Sequence, residues 1–258
     1  MSVETTYNGD VITEINNGIG VIEFDHPKSN SLPGKVLKKL ADRIIAAGKN
    51  SEIKVIILKS KGDRAFCAGA SFDELLSIDN IDTGKEFFMG FARVINAARK
   101  CPKFILGRVQ GKAVGGGVGM ASCVDYCFAT KYASVKLSEL AIGIGPFVVG
   151  PAVERKVGHS AFQQLAINAT AWYTAEWALE KGLYYEVHEE TADMDNAILK
   201  LAEKLSNSNP EAMKLLKEAS WKGTEDWDSL LEERAQMSGK LVLSDYTSNA
   251  IAKFKQNT

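Results

Sequence analysis

Three consecutive glycines, residues 115–117, constrain the fold of this chain more than any other feature. They follow an apolar run, residues 104–109, that is typical of a buried strand, and they precede a short apolar segment, residues 118–123, that is typical of a buried helix. A strand, a glycine turn and a helix start leave backbone N–H groups unpartnered at the turn. The pattern favours an anion there, or a carbonyl oxygen that becomes negative during a reaction. A tight turn that needs positive φ is the competing explanation.

Composition and motif searches exclude several classes of protein. The glycines lack the Gly-Lys-Ser/Thr ending of a phosphate loop and the GxGxxG pattern of a dinucleotide site. A net charge of −1 gives no reason to expect nucleic acid, and no apolar run approaches the roughly 20 residues of a membrane span. The four cysteines and three histidines are dispersed, which predicts no metal site. The start of the chain lacks a basic and apolar signal, so we expect a soluble, cytoplasmic protein.

The order of sequence patterns predicts an α/β fold. A hairpin is expected over residues 11–24, and strands and helices then alternate up to about Glu139, so that helices pack outside sheets. Residues 78–84 are polar and turn-rich, which predicts a mobile loop. Beyond Glu139 helices dominate, with the last over residues 227–255 and a break within it. The apolar residues of this C-terminal third belong either to the core or to a surface that packs against other subunits.

A second small-residue segment, Ala68-Gly69-Ala70, lies about 45 residues before the glycine triplet. Two backbone N–H groups on separate loops can hold one carbonyl oxygen, so Ala68-Gly69-Ala70 and Gly115-Gly116-Gly117 together predict an oxyanion hole. Glu139 follows an apolar strand and precedes a glycine-rich, nearly uncharged loop. Partial desolvation there would raise its pKa and suit it to proton transfer. A structural glutamate that caps the next turn is the alternative.

Four motifs in register resemble the crotonase superfamily of enoyl-CoA hydratases and isomerases. They are residues 66–71, residues 111–117, Cys123-Val124-Asp125, and Ser138-Glu139 followed by Gly143 and Pro146. The resemblance extends along most of the chain. It implies a spiral of ββα units over residues 1–195, which holds an acyl-CoA site, and a helical trimerisation region over residues 196–258.

The resemblance also implies partners and site residues. The substrate would be an acyl-CoA thioester, with coenzyme A as part of the substrate and no separate cofactor, and trimers would commonly pair into hexamers. Glu139 would be the acid/base, and the N–H groups of Ala70 and Gly116 would hold the thioester oxygen. The implied substrate and coenzyme A contacts are Lys28, Asn30, Ala68, Ala70, Ser71, Phe72, Asp73, Gly115, Gly116, Gly143, Pro146 and Phe147. Members often carry Asp where Ser71 stands and Lys or Arg near Asp73, and this chain departs from the pattern at both places.

The chain departs from the two-glutamate hydratases at one position. These enzymes carry their first glutamate two residues after the glycine triplet, where this sequence has Gly119. Glu139 matches the second glutamate, which resembles the single-glutamate Δ3,Δ2-enoyl-CoA isomerases. A 1,3 proton shift needs one base, whereas hydration must also position a water.

Three functions therefore stay open at this stage. They are double-bond isomerisation, hydration of a branched or dicarboxylic enoyl-CoA (of the methylglutaconyl-CoA type), and non-catalytic acyl-CoA binding. Asp73, Glu74 and Glu154 are candidate helpers for a hydratase.

Overall fold

A computed structural model describes residues 7–256, and within them a six-stranded sheet forms the centre of the molecule. The strands are β1 (Asp10–Asn16), β2 (Ile19–Asp25), β3 (Val55–Ser60), β4 (Ile105–Val109), β5 (Ala113–Val114), β6 (Tyr126–Thr130), β7 (Val135–Lys136) and β8 (Glu186–His188). The main sheet has the order β1-β2-β3-β4-β6-β8, antiparallel between β1 and β2 and parallel elsewhere. The short strands β5 and β7 form a separate parallel pair.

The predicted hairpin is present, and its turn explains its register. Asn17 and Gly18 join β1 to β2 with φ values of 49° and 81°. Positive φ at both central residues is what a type I′ hairpin turn requires, and Asn-Gly is a favoured pair there. The register pairs Asn16 with Ile19 and Asp10 with Asp25.

Helices cover both faces of the sheet. They are α1 (Gly34–Lys49), α2 (Phe72–Leu76), α3 (Ile81–Lys100), α4 (Gly116–Cys123), α5 (Gly150–Val157), α6 (His159–Ile167), α7 (Ala175–Glu180), α8 (Thr191–Ser206), α9 (Pro210–Ser220), α10 (Trp227–Leu241) and α11 (Asp245–Gln256). Helices α1, α3 and α4 contribute to the main apolar core. Met194, Ile198 and Ala202 of α8 cover the opposite face of the sheet. The predicted α/β arrangement is confirmed.

Residues 78–84 do not form the predicted loop throughout, because α3 begins at Ile81. The Asn80 side chain accepts a hydrogen bond from the Thr83 N–H at 2.9 Å, and Thr83 Oγ1 accepts one from the Asn80 N–H at 3.2 Å. The polar residues that suggest a turn therefore form a capping box. Gly84 allows a close helix crossing, since a Cβ there would lie 2.9 Å from the Gly239 backbone in α10.

The C-terminal helices pack on the core of their own chain. Trp227 and Leu231 of α10 are buried, which supports the core interpretation for these two residues. The predicted division between residues 195 and 196 falls inside α8, a continuous helix. Leu215 and Leu216 of α9 are 54% and 63% exposed. Assembly into trimers or hexamers stays a prediction.

Candidate active site

A cavity of about 1000 Å³ lies beside the glycine triplet. Its walls come from the loop before α2, the aromatic face of α3, the start of α4, the segment between β7 and α5, and helix α11. Among the residues that line it are Ala68, Gly69, Ala70, Phe72, Phe87, Phe88, Phe91, Gly115, Gly116, Lys136, Glu139, Pro146, Phe147, Val149, Trp172, Tyr246, Asn249, Ala250 and Lys253.

The glycine triplet forms the tight turn with positive φ, while an anion site at this turn stays a prediction. Gly115 precedes α4 with φ 52° and ψ −113°, which is strained for any residue that carries a Cβ. Gly117 approaches the loop before α2, because a Cβ there would lie 2.4 Å from the Cys67 carbonyl oxygen. The first glycine of the turn is needed for its positive φ, and the third is needed because the Cys67 backbone lies close against it.

Backbone hydrogen bonds hold the loop that contains Ala70 beside this turn. The Leu32 N–H donates to the Gly69 carbonyl at 2.8 Å, and the Ser71 N–H donates to the Leu32 carbonyl at 2.9 Å. Gly69 has φ 95°, and a Cβ on it would lie 3.9 Å from the Gly116 nitrogen. The structure thus brings together the two loops on which the oxyanion hole was predicted.

The N–H groups of Ala70 and Gly116 have no protein acceptor among residues 7–256. Gly116 is the first residue of α4, where helical N–H groups lack intrahelical partners. Both residues line the cavity, so an oxygen in the cavity is the acceptor that would satisfy them. Their catalytic role stays a prediction.

Glu139 begins a 3-10 turn, Glu139–Ile142, which follows β7 after residues 137 and 138. Its carboxyl group lies over the glycine turn, since a Cβ on Gly115 would be 2.9 Å from Oε1. The residue as a whole is partly exposed, but Oε2 is buried and no group in the described part of the chain donates a hydrogen bond to it. Burial raises the pKa of Glu139 from 4.5 to about 7.

The position of the absent glutamate is filled by another segment. Gly119 is buried in α4, and a Cβ on it would lie 2.6 Å from Cγ1 and 2.8 Å from Cβ of Val149. Val149 precedes α5 and also lines the cavity. An apolar contact therefore occupies the space next to residue 119 in this chain.

The three candidate helper carboxylates lie elsewhere. Asp73 forms an ion pair with Lys28, and Glu74 Oε2 accepts a hydrogen bond from the Gly34 N–H at 2.7 Å. Glu154 Oε1 lies 2.5 Å from Nδ1 of His159. Within residues 7–256, Glu139 is the one carboxylate among the cavity-lining residues.

Eight of the predicted site residues line the cavity: Ala68, Ala70, Phe72, Gly115, Gly116, Glu139, Pro146 and Phe147. Lys28 and Asp73 are outside the lining, with side chains that are 65% and 67% exposed. Ser71 is buried, and its Oγ accepts a hydrogen bond from the Glu74 N–H at 3.4 Å as the cap of α2. Direct substrate contacts for these three residues stay predictions.

Asn30 and Gly143 are not among the residues that line the cavity; both have structural roles, and their substrate contacts stay predictions. The Asn30 side chain donates to the carbonyls of Lys61 and Ala65 at 3.1 and 3.0 Å, which fixes its own loop. Gly143 ends the 3-10 turn with φ 83°, and a Cβ there would lie 2.5 Å from a Tyr246 ring carbon. Gly143 thus allows α11 to approach the site.

Sequence reasoning missed several parts of the wall, among them the aromatic face of α3, helix α11 and Trp172. The aromatic residues Phe87, Phe88 and Phe91 were visible as one helical face, but periodicity alone does not separate a cavity wall from core. Residues Tyr246, Asn249, Ala250 and Lys253 come from α11, and no local pattern links that helix to a turn about 100 residues earlier.

In the part of the chain that the structure describes, no group of three or more His, Cys, Asp or Glu residues is arranged to hold a metal ion. The four cysteines are buried and unpaired, and burial raises the pKa of Cys67, Cys123 and Cys127 to about 12. None of the helices over residues 7–256 has the length and apolar character of a membrane span.

Comparison with known proteins agrees with this fold. The model of the family described as enoyl-CoA hydratase/isomerase matches residues 14–256. The chain therefore belongs to the enoyl-CoA hydratase/isomerase family, and the resemblance to the crotonase superfamily is confirmed.

Relatives and solved structures span nearly the whole chain. A short-chain-enoyl-CoA hydratase of Clostridium acetobutylicum is 29% identical over 249 residues, 95% of this chain and 94% of the relative. A carnitinyl-CoA dehydratase of Escherichia coli is 27% identical over 219 residues, 84% of this chain and 79% of the relative. The crystal structure of an enoyl-CoA hydratase from Bacillus halodurans superposes with a TM-score of 0.86 at 24% identity, covering 94% and 99% of the two chains. That structural similarity concerns the fold.

Proposed function

We propose that this protein isomerises an enoyl-CoA thioester by a 1,3 proton shift, with Glu139 as the single acid and base. The observation that carries the proposal is the position of its carboxyl group over the Gly115–Gly116 turn, as the one carboxylate that lines the cavity in the described residues. The family supports acyl-CoA processing in general. The apolar Val149 contact at Gly119 supports a reaction that needs one carboxylate.

The proton shift proceeds in two steps. The thioester oxygen of a 3-enoyl-CoA accepts hydrogen bonds from the N–H groups of Ala70 and Gly116. Ionised Glu139 removes a proton from C2, and the electron pair moves onto that oxygen as a dienolate, which the two N–H groups stabilise. Protonated Glu139 then returns the proton to C4, and the double bond moves from C3–C4 to C2–C3.

A group that gives and takes one proton works best when its pKa lies near the working pH. The pKa of Glu139, raised to about 7 by burial, meets this condition because both forms are populated near neutrality.

Hydration is the second candidate, and the names of the relatives favour it. The Clostridium relative is named a hydratase and the Escherichia coli relative a dehydratase. A hydratase of this sequence would have to position its water without a second carboxylate in the lining, for example with a carboxylate of the substrate itself. Non-catalytic binding is the third candidate, and the buried Glu139 carboxyl argues against it.

The deciding experiment offers purified protein a 3-enoyl-CoA and a 2-enoyl-CoA of equal length. We expect conjugated 2-enoyl-CoA from the first, seen as a rise in ultraviolet absorbance, with no gain of one water in the product mass. In D2O a product without deuterium would show that Glu139 carries the same proton from C2 to C4, whereas deuterium at C4 would show that the Glu139 proton exchanges with solvent before its return. Faster formation of 3-hydroxyacyl-CoA from the 2-enoyl substrate would favour the hydratase. Binding of both thioesters without either reaction would favour the non-catalytic protein.

A further inference from the structure

Two lysine side chains share the indole ring of Trp172 at the wall of the cavity. Nζ of Lys136 lies 4.5 Å from the ring centroid and Nζ of Lys112 lies 4.8 Å from it. Lys136 and Trp172 both line the cavity. We call these three residues the lysine–tryptophan cluster. None of them belongs to the predicted site.

Backbone pairing holds the cluster in place. Lys136 pairs with Val114 in the β5–β7 ladder. Val114 lies two residues after Lys112 in the chain. The Val135 N–H donates to the Tyr173 carbonyl at 2.8 Å, and the Tyr173 N–H donates to the Val135 carbonyl at 3.0 Å. The bridge between Val135 and Tyr173 therefore fixes Trp172 beside Lys136. Three backbone segments converge on this cluster.

The two positive charges of the cluster lack a counter-ion. Within residues 7–256 no carboxylate lies within ion-pair distance of Nζ of Lys112 or Lys136, and partial burial together with Lys112 lowers the pKa of Lys136. Lys131 offers a contrast on the surface. It lies 5.2 Å from the ring of Tyr132 and pairs with Glu189 at 2.7 Å. Two like charges held together on a cavity wall repel each other, and an anion would relieve that repulsion.

We propose that the lysine–tryptophan cluster binds an anionic oxygen group of the substrate, and its position favours a carboxylate carried by the acyl group. The Lys136 carbonyl accepts a hydrogen bond from the Gly115 N–H at 2.9 Å, so the backbone of Lys136 touches the turn that would hold the thioester. The phosphates of coenzyme A are separated from the thioester by the whole pantetheine arm. The inference rests on the proposed function in so far as the thioester lies at Ala70 and Gly116.

Calorimetric binding of unreactive saturated thioesters tests the cluster without relying on turnover. Butyryl-CoA, glutaryl-CoA and the pantetheine thioester of glutarate are titrated into the wild type, Lys136→Gln, Lys136→Arg and the matched surface control Lys131→Gln. A charge-assisted hydrogen bond corresponds to about a tenfold change in affinity. We therefore expect glutaryl-CoA to bind the wild type about tenfold more tightly than butyryl-CoA does. Lys136→Gln should remove this preference, while Lys136→Arg and Lys131→Gln keep it.

Each other outcome has a defined meaning. If Lys136→Gln weakens both coenzyme A thioesters equally and leaves the pantetheine thioester unchanged, the cluster binds a phosphate of coenzyme A, which still supports an anion site. If a folded Lys136→Gln protein, checked by circular dichroism, binds all three as the wild type does, the cluster proposal is overturned and the proposed function stands. If the wild type binds none of the three, the proposed function fails and the cluster proposal fails with it.

Discussion

Gly115 and Gly119 stand four residues apart in one short segment, yet they serve opposite purposes. At Gly115 the missing Cβ leaves room for the carboxyl group of Glu139, whose Oε1 would be 2.9 Å from such an atom. At Gly119 the missing Cβ leaves room for Val149, whose side chain would be 2.6 Å from it. One glycine makes space for a polar group in the cavity and the other makes space for apolar packing.

This contrast shows what the loss of a carboxylate at residue 119 involves. A glycine that replaced a glutamate would leave a void unless a neighbour moved in, and voids in a packed interior cost free energy. Val149 occupies that neighbourhood and is itself only 4% exposed. The contact is therefore part of the packed structure, and Glu139 is the one carboxylate that lines the cavity in the described part of the chain.

Glu139→Gln has the largest expected effect, and it tests the role of the carboxyl group that lies beside Gly115. We expect kcat for isomerisation to fall by about 10²- to 10⁴-fold, because the amide cannot accept and return a proton. In the wild type, kcat/KM should rise with pH through about 7, the pKa of the base that must be ionised. Steady-state kinetics across pH measures both.

The control for Glu139→Gln is calorimetric binding of a saturated acyl-CoA, which should change little. Full turnover in a variant that binds normally would remove Glu139 from the mechanism and leave Gly115 with a structural role alone.

Removal of the Gly116 N–H is the next largest effect, about 10²- to 10³-fold in kcat, as for other oxyanion-hole donors. Gly116→Pro deletes the N–H, and proline is tolerated at the first position of a helix. A Cβ at residue 116 would, however, lie 2.2 Å from the ring of Phe91, so the change belongs in a Phe91→Leu background.

Gly116→Ala with Phe91→Leu is the matched control for that variant, because it adds the Cβ and keeps the N–H. Equal kcat for the alanine and proline double variants would contradict the assignment of this N–H to the thioester oxygen.

The buried carboxyl group should also lower stability as pH rises. The folded pKa of about 7 exceeds the ordinary value of 4.5, so the folded protein binds more protons than the unfolded chain between these pH values and its unfolding free energy falls across that window. Relative to Glu139→Gln, the wild type should lose about 3 kcal/mol between pH 4 and pH 8. Urea unfolding of both proteins at several pH values measures this, and a pH-independent difference would show that Glu139 is well solvated.

Sequence patterns could predict the parts of this molecule that depend on neighbouring residues. The Asn17-Gly18 turn, the strand before the glycine triplet and the short helix after it follow from local conformational preferences. The helix over Gly150–Val157 escaped prediction, as did the Glu139–Ile142 turn, because both are short and contain glycine or lie next to it.

Contacts between distant segments could not be predicted in this way. Nothing near Gly119 indicates that Val149 packs against it, and nothing near Gly143 indicates that Tyr246 lies against that glycine. Asn30 is a further case: the resemblance implies a substrate contact for it, and nothing near it in the chain indicates that its side chain donates to the carbonyls of residues 61 and 65. The roles of these three residues depend on contacts with segments that are distant in the chain, and the order of residues does not reveal those contacts.

Gly119→Ala has the smallest expected effect, and it tests the packing of Val149 against Gly119. The new Cβ would meet both Cγ1 and Cβ of Val149 below 3 Å, and because the Val149 Cβ cannot rotate away, we expect a loss of about 1–3 kcal/mol in unfolding free energy. The gain of helix propensity from glycine to alanine, about 1 kcal/mol, offsets part of it. Val149→Gly removes both contacting atoms, so a double-mutant cycle by urea unfolding should give a favourable coupling of about 1 kcal/mol or more between the two substitutions. Additive effects would mean that the space beside residue 119 is free, and a carboxylate could then be restored there without moving Val149.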